Sequence, residues 1–402
     1  MSQPKWKSQF FTIMAGQTVS LVGSSAVQFA LIWWLASETG SPLMMALSGL
    51  VAFLPQAILG PFAGVWIDRM KRKTVVLISD MFQGLVAVAF AAAFLVHTPP
   101  YWTACLVLGV RAIGSVFQAP AMQALIPQLV PTDELVRVGA WQQFLQSGAF
   151  MLGPVLGAIM YGVLPLPVIL LSDLLGAIAA NLTLGFVRIN ETPHTHTEKH
   201  HFIQEFRDGW KALTTDRSLC VLLLSVAGCM VFFMPLSSYY PLMSSDYFGL
   251  SALYGSVVEF TFAAGMMLVS FIVSLFGQIH RKLLMAHLGL LGIGVTTLLS
   301  GLVPPTLTGF WIFAVCCGLM GASSNFYSIP MVAYMQESIP PHAQGRVFSL
   351  IGSMLSLTMP IGLLVSGPFA EGYGVDFWFI VSGVAITILP LLSLFVIRRL
   401  HQ

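Results

Sequence analysis

Hydrophobic positions in this chain do not alternate with polar ones as they would on a half-buried helix or strand. They run on for about twenty residues at a time and stop at short polar breaks. A helix needs about 20 largely apolar residues to cross the hydrocarbon of a bilayer. Runs of that length cover 9–36, 42–67, 74–97, 101–125, 138–162, 165–187, 218–246, 252–277, 282–303, 308–335, 346–370 and 373–397. Backbone placed in hydrocarbon must satisfy its own hydrogen bonds, so the pattern predicts an all-α membrane protein with twelve transmembrane helices. Lys5 and Lys7 precede the first run, which is too long for a cleaved secretion signal and leads into no soluble domain. It is read as a retained first span.

Composition agrees: 56% of the 402 residues are apolar and 8% charged, against roughly 45–50% and about 25% in soluble domains. A net charge of +2 says little about partners, among which nucleic acid is not expected. The placement of charge says more than its sum. Lys5, Lys7, Arg69, Lys71, Arg72, Lys73, Arg137, Arg188, Lys199, Arg207, Lys211, Arg217, Arg281, Lys282, Arg346, Arg398 and Arg399 all fall at the termini or in loops of one side. The opposite loops hold Glu38, Asp246, Glu371 and Asp376 and no base. Lys and Arg collect in cytoplasmic loops, which puts both termini in the cytoplasm. The five cysteines (105, 220, 229, 316 and 317) lie in or at the start of apolar runs, without the spacing of a disulfide framework or a zinc site.

The polar breaks repeat. Gly64-Val-Trp-Ile-Asp-Arg-Met-Lys-Arg-Lys73 packs one acid and four bases into ten residues. An offset of 209 residues carries Arg72 and Lys73 onto Arg281 and Lys282, and Gly40 onto Gly249. It also carries Gly109 onto Gly318, Phe117 onto Phe326, Pro131 onto Pro340, Arg137 onto Arg346 and Gly153 onto Gly362. The chain therefore reads as two pseudo-symmetric six-helix halves, 1–187 and 218–402, joined by a linker at 188–217. That arrangement resembles the major facilitator superfamily, whose substrate site lies near mid-membrane between the halves.

The linker has two parts. Asn190-Glu-Thr-Pro-His-Thr-His-Thr-Glu-Lys-His-His201 is polar, and its histidines lack ordered spacing with carboxylates or cysteines, so a solvated segment is expected rather than a metal site. Phe202, Phe206, Trp210 and Leu213 then recur at helical spacing opposite Glu205, Arg207, Asp208 and Lys211. This predicts an amphipathic helix on the cytoplasmic membrane surface.

An ionisable group inside the membrane costs about 2.5–3.5 kcal/mol on insertion scales, so each one present needs a reason. Asp80 lies in the third run, Arg111 in the fourth, Asp173 in the sixth and Glu259 in the eighth. Arg111 cannot lose its proton, and Asp80 and Asp173 are its available partners in the same half. The pair is either a switch that releases the acid as the protein changes conformation or a permanent structural tie. Glu259 has no base in its helix. It is either a proton carrier, a neutral acid hydrogen-bonded to a hydroxyl, or a group at the outer water boundary. Asp68, flanked by Arg69 and Arg72, is read with Arg137, Glu337 and Arg346 as a cytoplasmic latch held by charge and helix-dipole attraction.

Polar residues within apolar runs are candidates to line a substrate cavity: Gln17, Ser24, Gln28, Gln142, Gln143, Gln146, Tyr239, Tyr240, Asn325 and Tyr327. Their weakly polar, aromatic character suits a bulky amphiphile better than a sugar or a phosphate. The fifth run contains Gly148, Gly153, Pro154 and Gly157, small residues that allow close helix contact around a proline that removes a backbone donor. A kinked, glycine-rich fifth helix beside helix 2 or 8 resembles the pattern of exporters in the superfamily.

A closer resemblance rests on Ala15-Gly-Gln-Thr-Val-Ser-Leu21, Gly40-Ser41, Phe53-Leu-Pro55, Ala57-Ile-Leu-Gly-Pro61, Asp68-Arg69, Arg111-Ala-Ile-Gly114 and Leu129-Val-Pro131. Cys316-Cys317, Gly345-Arg-Val-Phe-Ser-Leu-Ile-Gly-Ser353 and Met359-Pro-Ile-Gly-Leu363 continue it in the second half. These segments are similar to the macrolide-efflux (Mef) transporters, proton-driven drug exporters. The chain departs from the superfamily pattern at Met70-Lys71, where a glycine is usual, at Ala158 after Gly157, and in its histidine-containing linker.

The resemblance implies a proton-coupled exporter of amphiphilic drugs, macrolides foremost, working by alternating access as a monomer in the bacterial inner membrane. Asp80, Arg111, Asp173 and Glu259 would be its coupling residues, and no cofactor or metal is implied. Export of a siderophore, lipid-like or other endogenous metabolite, and a non-transporting membrane sensor on the same fold, are the alternatives. An enzyme is not expected, because no nucleophile, base and orienting residue occur together on a water-facing segment.

Overall fold

The structure, a computed structural model, describes residues 4–68, 70–131, 134–187, 217–276, 281–339 and 341–400. The first half gives α1 (Pro4–Thr39), α2 (Pro42–Asp68), α3 (Arg72–Ala93), α4 (Trp102–Leu125), α5 (Leu135–Val163) and α6 (Leu166–Phe186). The second gives α7 (Arg217–Tyr247), α8 (Ala252–Phe276), α9 (Lys282–Gly301), α10 (Leu307–Ser338), α11 (Pro341–Tyr373) and α12 (Val375–Leu400). All twelve are long and apolar enough to cross a membrane. The linker, with its histidines and its expected amphipathic helix, lies outside the described residues, as do Arg69 and the side chains of Asp68, Arg137, Gln143 and Arg346.

Two helices differ in form from the runs that predicted them. α7 was expected to be continuous over 218–246, but it is built as Arg217–Phe233, Leu236–Leu242 and a π-helical turn at Met243–Tyr247. Pro235 has no N–H to continue the ladder, and the break falls beside it. α3 stops at Ala93 rather than at 97, and Phe94, Leu95 and Val96 each bond three residues back in a tightened last turn.

The chain forms two compact units, Met1–Thr39 with Ser48–Thr197 and Gly40–Leu47 with Glu198–Gln402. In the first, α3 packs on α4 and α6, and α1 on α5 and α6. In the second, α9 packs on α10 and α12, and α7 on α11 and α12. Adding six to each helix number turns the first set of pairings into the second, which is the duplication read from the offset. Gly40 and Gly249, matched by that offset, both take the left-handed backbone, φ +56° and +65°, that ends one span and turns into the next.

Within the first unit Phe10, Ile13, Ile67, Val76, Leu125 and Leu184 close an apolar core at the end where α3 begins and α6 ends. Apolar side chains also cover the outward faces: Phe144, Phe150 and Leu175 are 60%, 65% and 67% exposed, as lipid-facing residues must be. Of the fifth-helix glycines, Gly153 and Gly157 face α1. A Cβ on Gly153 would lie 2.3 Å from Ser25 Cβ, and one on Gly157 2.5 Å from the Ala26 carbonyl. Gly148 meets nothing within 4 Å. α5 continues through Pro154 without a break.

Candidate functional site

Four helices of the first unit bring their polar residues together in two layers. On α1, Gln17 and Ser24 are seven residues apart, and on α4 so are Arg111 and Gln118. Seven residues are two helical turns, about 10.5 Å, and return a side chain to nearly the same face. Because α1 and α4 run in opposite directions, Gln17 meets Gln118 and Ser24 meets Arg111.

The first layer joins α3 to α1 and α4. Gln17 Nε2 donates to Asp80 Oδ2 at 2.9 Å, and Gln118 Nε2 donates to Gln17 Oε1 at 2.9 Å. Both ends of the Gln17 amide are thus engaged, and Gln17 and Asp80 are buried. Among the described residues Asp80 has no base within ion-pair distance, so its carboxylate relies on amides alone.

The second layer joins α6 to α4 and α1. Arg111 Nη2 lies 2.8 Å from Asp173 Oδ2, and Ser24 Oγ donates to Asp173 Oδ1 at 2.5 Å. Ser24 also turns its carbonyl toward the guanidinium at 3.5 Å. Of the two acids open to Arg111 in the sequence, the structure pairs it with Asp173. Arg111 Nε and Asp173 Oδ2 are buried without an aligned hydrogen bond, so charge attraction rather than a fork of hydrogen bonds holds the pair. A close but poorly aligned ion pair can exchange partners at lower cost than a bidentate one.

The second unit keeps the positions and loses the charge. The repeat offset carries Arg111 to Met320 and Asp173 to Ser382. Thr297 Oγ1 and Tyr240 Oη approach the Met320 sulfur at 3.2 and 3.9 Å, a neutral contact in place of an ionic one. Glu259 stands apart on α8, half-buried, and accepts no hydrogen bond from any described residue. Phe262, one turn along the same face, meets the rings of Phe233 and Tyr240 at 6.3 Å.

The other cavity candidates divide. Gln28 and Gln146 are exposed and Gln142 is half-buried. Tyr239 is fully buried with its hydroxyl 2.7 Å from Ser366 Oγ, and Tyr240 is 4% exposed, so both are packed in this conformation. Asn325 donates to the Met266 carbonyl and to Ser270 Oγ, tying α10 to α8, and the Tyr327 backbone is pressed against Gly289. Gln118 and the fully buried His287, which bonds the Leu283 carbonyl and Ser393, were not singled out in the sequence. The seven-residue spacing from Arg111 was the signal that would have found Gln118.

At the end where α3 begins, the loop bases serve helix termini. Arg72 Nη1 donates to the Ala124 carbonyl at the end of α4, and Lys73 Nζ to the Gly185 and Val187 carbonyls at the end of α6. Cations there satisfy orphan carbonyls and oppose the helix dipole. Lys282, the repeat partner of Lys73, instead pairs with Glu337 near the end of α10.

A profile of the Major Facilitator Superfamily matches residues 13–283 and 257–401. The chain is 38% identical over 382 residues to macrolide efflux protein A of Streptococcus pyogenes, covering 95% of this chain and 94% of that one. It is 36% identical over 325 residues to macrolide efflux protein A of Enterococcus faecalis, covering 81% and 100%. Among solved structures, a bacterial homologue of the iron transporter ferroportin superimposes with a TM-score of 0.72 at 17% identity, over 98% of this chain and 99% of that chain. This likeness is one of fold.

Proposed function

The chain belongs to the macrolide-efflux family of the Major Facilitator Superfamily, and from that premise we propose that it exports amphiphilic drugs, macrolides among them, in exchange for protons. It would do so by alternating access, as a monomer in the bacterial cytoplasmic membrane with both termini inside. The observation that carries this reading is the buried pairing of Arg111 with Asp173 beside an Asp80 held only by amides. Protonation of Asp173 removes half of the ion pair and frees the guanidinium. Loss of the proton restores it. Asp80, Gln17 and Gln118 form the first layer, whose hydrogen bonds run through both α1 and α4. A change in the charge of Asp80 is therefore felt by the two helices that also carry Ser24 and Arg111.

Glu259 is the proposed acid of the second half, with no described partner to hold it in one state. Gln28, Gln142 and Gln146 retain free surface for a ligand, whereas Gln17 supports Asp80.

The test is accumulation of a labelled macrolide in cells with and without the protein, before and after collapse of the proton gradient. Lower accumulation that depends on the gradient is expected. Export that continues at full rate after collapse would remove the proton from the mechanism.

A further inference from the structure

α6 reaches the level of the first layer as well, through Asn181. The Asn181 Nδ2 donates to the Leu77 carbonyl of α3 at 3.0 Å. A carbonyl only accepts, so the amide nitrogen must face Leu77 and the amide oxygen must face away from it. That oxygen, Oδ1, is buried and has no donor among the described residues. A buried acceptor left unpaired is costly, and this one needs a reason.

Two helix registers put Asn181 level with Asp80. On α3, Leu77, Asp80 and Gly84 are spaced three and four residues apart and share one face. Leu77 meets Asn181, and a Cβ on Gly84 would lie 2.9 Å from Leu174 Cα and 3.3 Å from Ala177 Cβ, so Asp80 stands between two contacts with α6. On α1, Gly16 lies against Thr183 and Ser20 against Gly176. Gln17, which donates to Asp80, is therefore level with the turn of α6 that carries Asn181.

The duplication keeps the acid and the amide together in one half and drops both in the other. The repeat offset carries Asp80 to Gly289 and Asn181 to Pro390. α9 and α12 pack on each other all the same, so the seam between these helices does not depend on the amide.

We propose that Asn181 is a positioning residue that recognises the protonated form of Asp80, whose O–H donates to Asn181 Oδ1. This rests on the reading of Asp80 as a coupling acid. A carboxylate has no hydrogen to give, whereas a carboxyl has one. The orphaned acceptor is filled in one protonation state and faces a second acceptor in the other, so it favours the state that fills it. Because Leu77 holds the far end of the same amide, arrival of the proton adds a tie between α3 and α6, and its departure removes that tie. The charged groups that neighbouring helices bring toward Asp80 are Asp173 of α6 and Arg111 of α4, which pair with each other. Lys73, at the start of α3, is spent on carbonyls of α6, and α1 carries no titratable group between Lys7 and Glu38. Replacing Asn181 leaves all of these in place.

The test titrates the full chain in lipid vesicles by infrared difference spectroscopy, following the carboxyl band that disappears in Asp80→Asn. Asn181→Leu and Asn181→Ala each remove a bond made only by the protonated state, so a higher proton concentration is needed to fill it. Both should lower the pH of half-protonation by about half a unit to one unit, the worth of one hydrogen bond. Asn181→Gln keeps an amide oxygen and should recover part of the shift. The pH of half-maximal macrolide export should fall by the same amount, with the melting temperature near that of the parent. A band that titrates at the parental pH in both variants would overturn the proposal and give Oδ1 to a bound water instead. An Asp80 that takes up no proton while the protein stays folded would overturn it too. Export by Asp80→Asn that still follows the proton gradient would instead remove Asp80 from coupling, a failure separate from any result of the band titration.

Discussion

Arg111 and Asp173 lie 2.8 Å apart, 6% and 2% exposed, with Ser24 bonded to the second oxygen of the same carboxylate. Breaking a buried pair from one side strands a charge and costs about 3–5 kcal/mol, whereas replacing both partners by apolar groups is often neutral. Arg111→Met and Asp173→Leu should therefore each lower the melting temperature of the purified protein clearly, and the double variant should regain most of it. Drug export should be absent in all three. A double variant that exports at the parental rate would reduce the pair to a structural tie.

The first layer makes a different demand. Asp80→Asn leaves an acceptor for Gln17 and should fold normally while export loses its dependence on the proton gradient, read by macrolide accumulation with and without an uncoupler. Gln118→Leu removes the donor to Gln17 Oε1 and should cost about 1 kcal/mol in stability, the worth of one hydrogen bond and the partner it strands.

Glu259 has no described partner to lose, so its neutral replacement tests chemistry with little structural cost. Glu259→Gln should express and melt like the parent. Export driven by an imposed proton gradient in membrane vesicles should fall at least tenfold, and Glu259→Asp should recover part of it. Unchanged export in Glu259→Gln would confine proton coupling to the first half.

The spans, the duplication and the isolated acids were legible because each is a property of single positions: an apolar run, a matched glycine, a charge where charge is expensive. Partnership was not. Asp80 and Asp173 stood equally open to Arg111, and the rotation and register of α3 and α6 against α4, which no run of residues encodes, decided for Asp173. The same limit explains the cavity candidates. Gln17 and Asn325 are polar enough for a ligand, yet their amides are spent on Asp80 and on Ser270. Glu371 was visible only as an acid in a loop, since its hydrogen bonds go to a helix start 328 residues away in sequence.

The loop bases should matter to stability more than to transport. Lys73→Ala frees two carbonyls at the end of α6, and a cation at a helix C-terminus is typically worth about 0.3–1 kcal/mol. Lys73→Ala should lower the melting temperature slightly and leave export near the parental rate. A complete loss of export from that change would show that this end of the bundle moves during transport through Lys73 itself.

The fifth-helix glycines give a test of packing that pits two effects against each other. Alanine in place of glycine inside a helix gains about 1 kcal/mol from backbone entropy when there is room for the methyl group. Gly148 has that room, with nothing within 4 Å, so Gly148→Ala should raise the melting temperature or leave it unchanged. Gly157 has none: its Cβ would sit 2.5 Å from the Ala26 carbonyl, and backbone cannot rotate away as a side chain can. Gly157→Ala must push α5 off α1, and α1 carries Gln17 and Ser24, so folding yield and export should fall together. If Gly157→Ala instead matches Gly148→Ala in both measurements, α5 is not seated on α1 through this face, and the spacing that aligns Ser24 with Asp173 must be set by α6 alone.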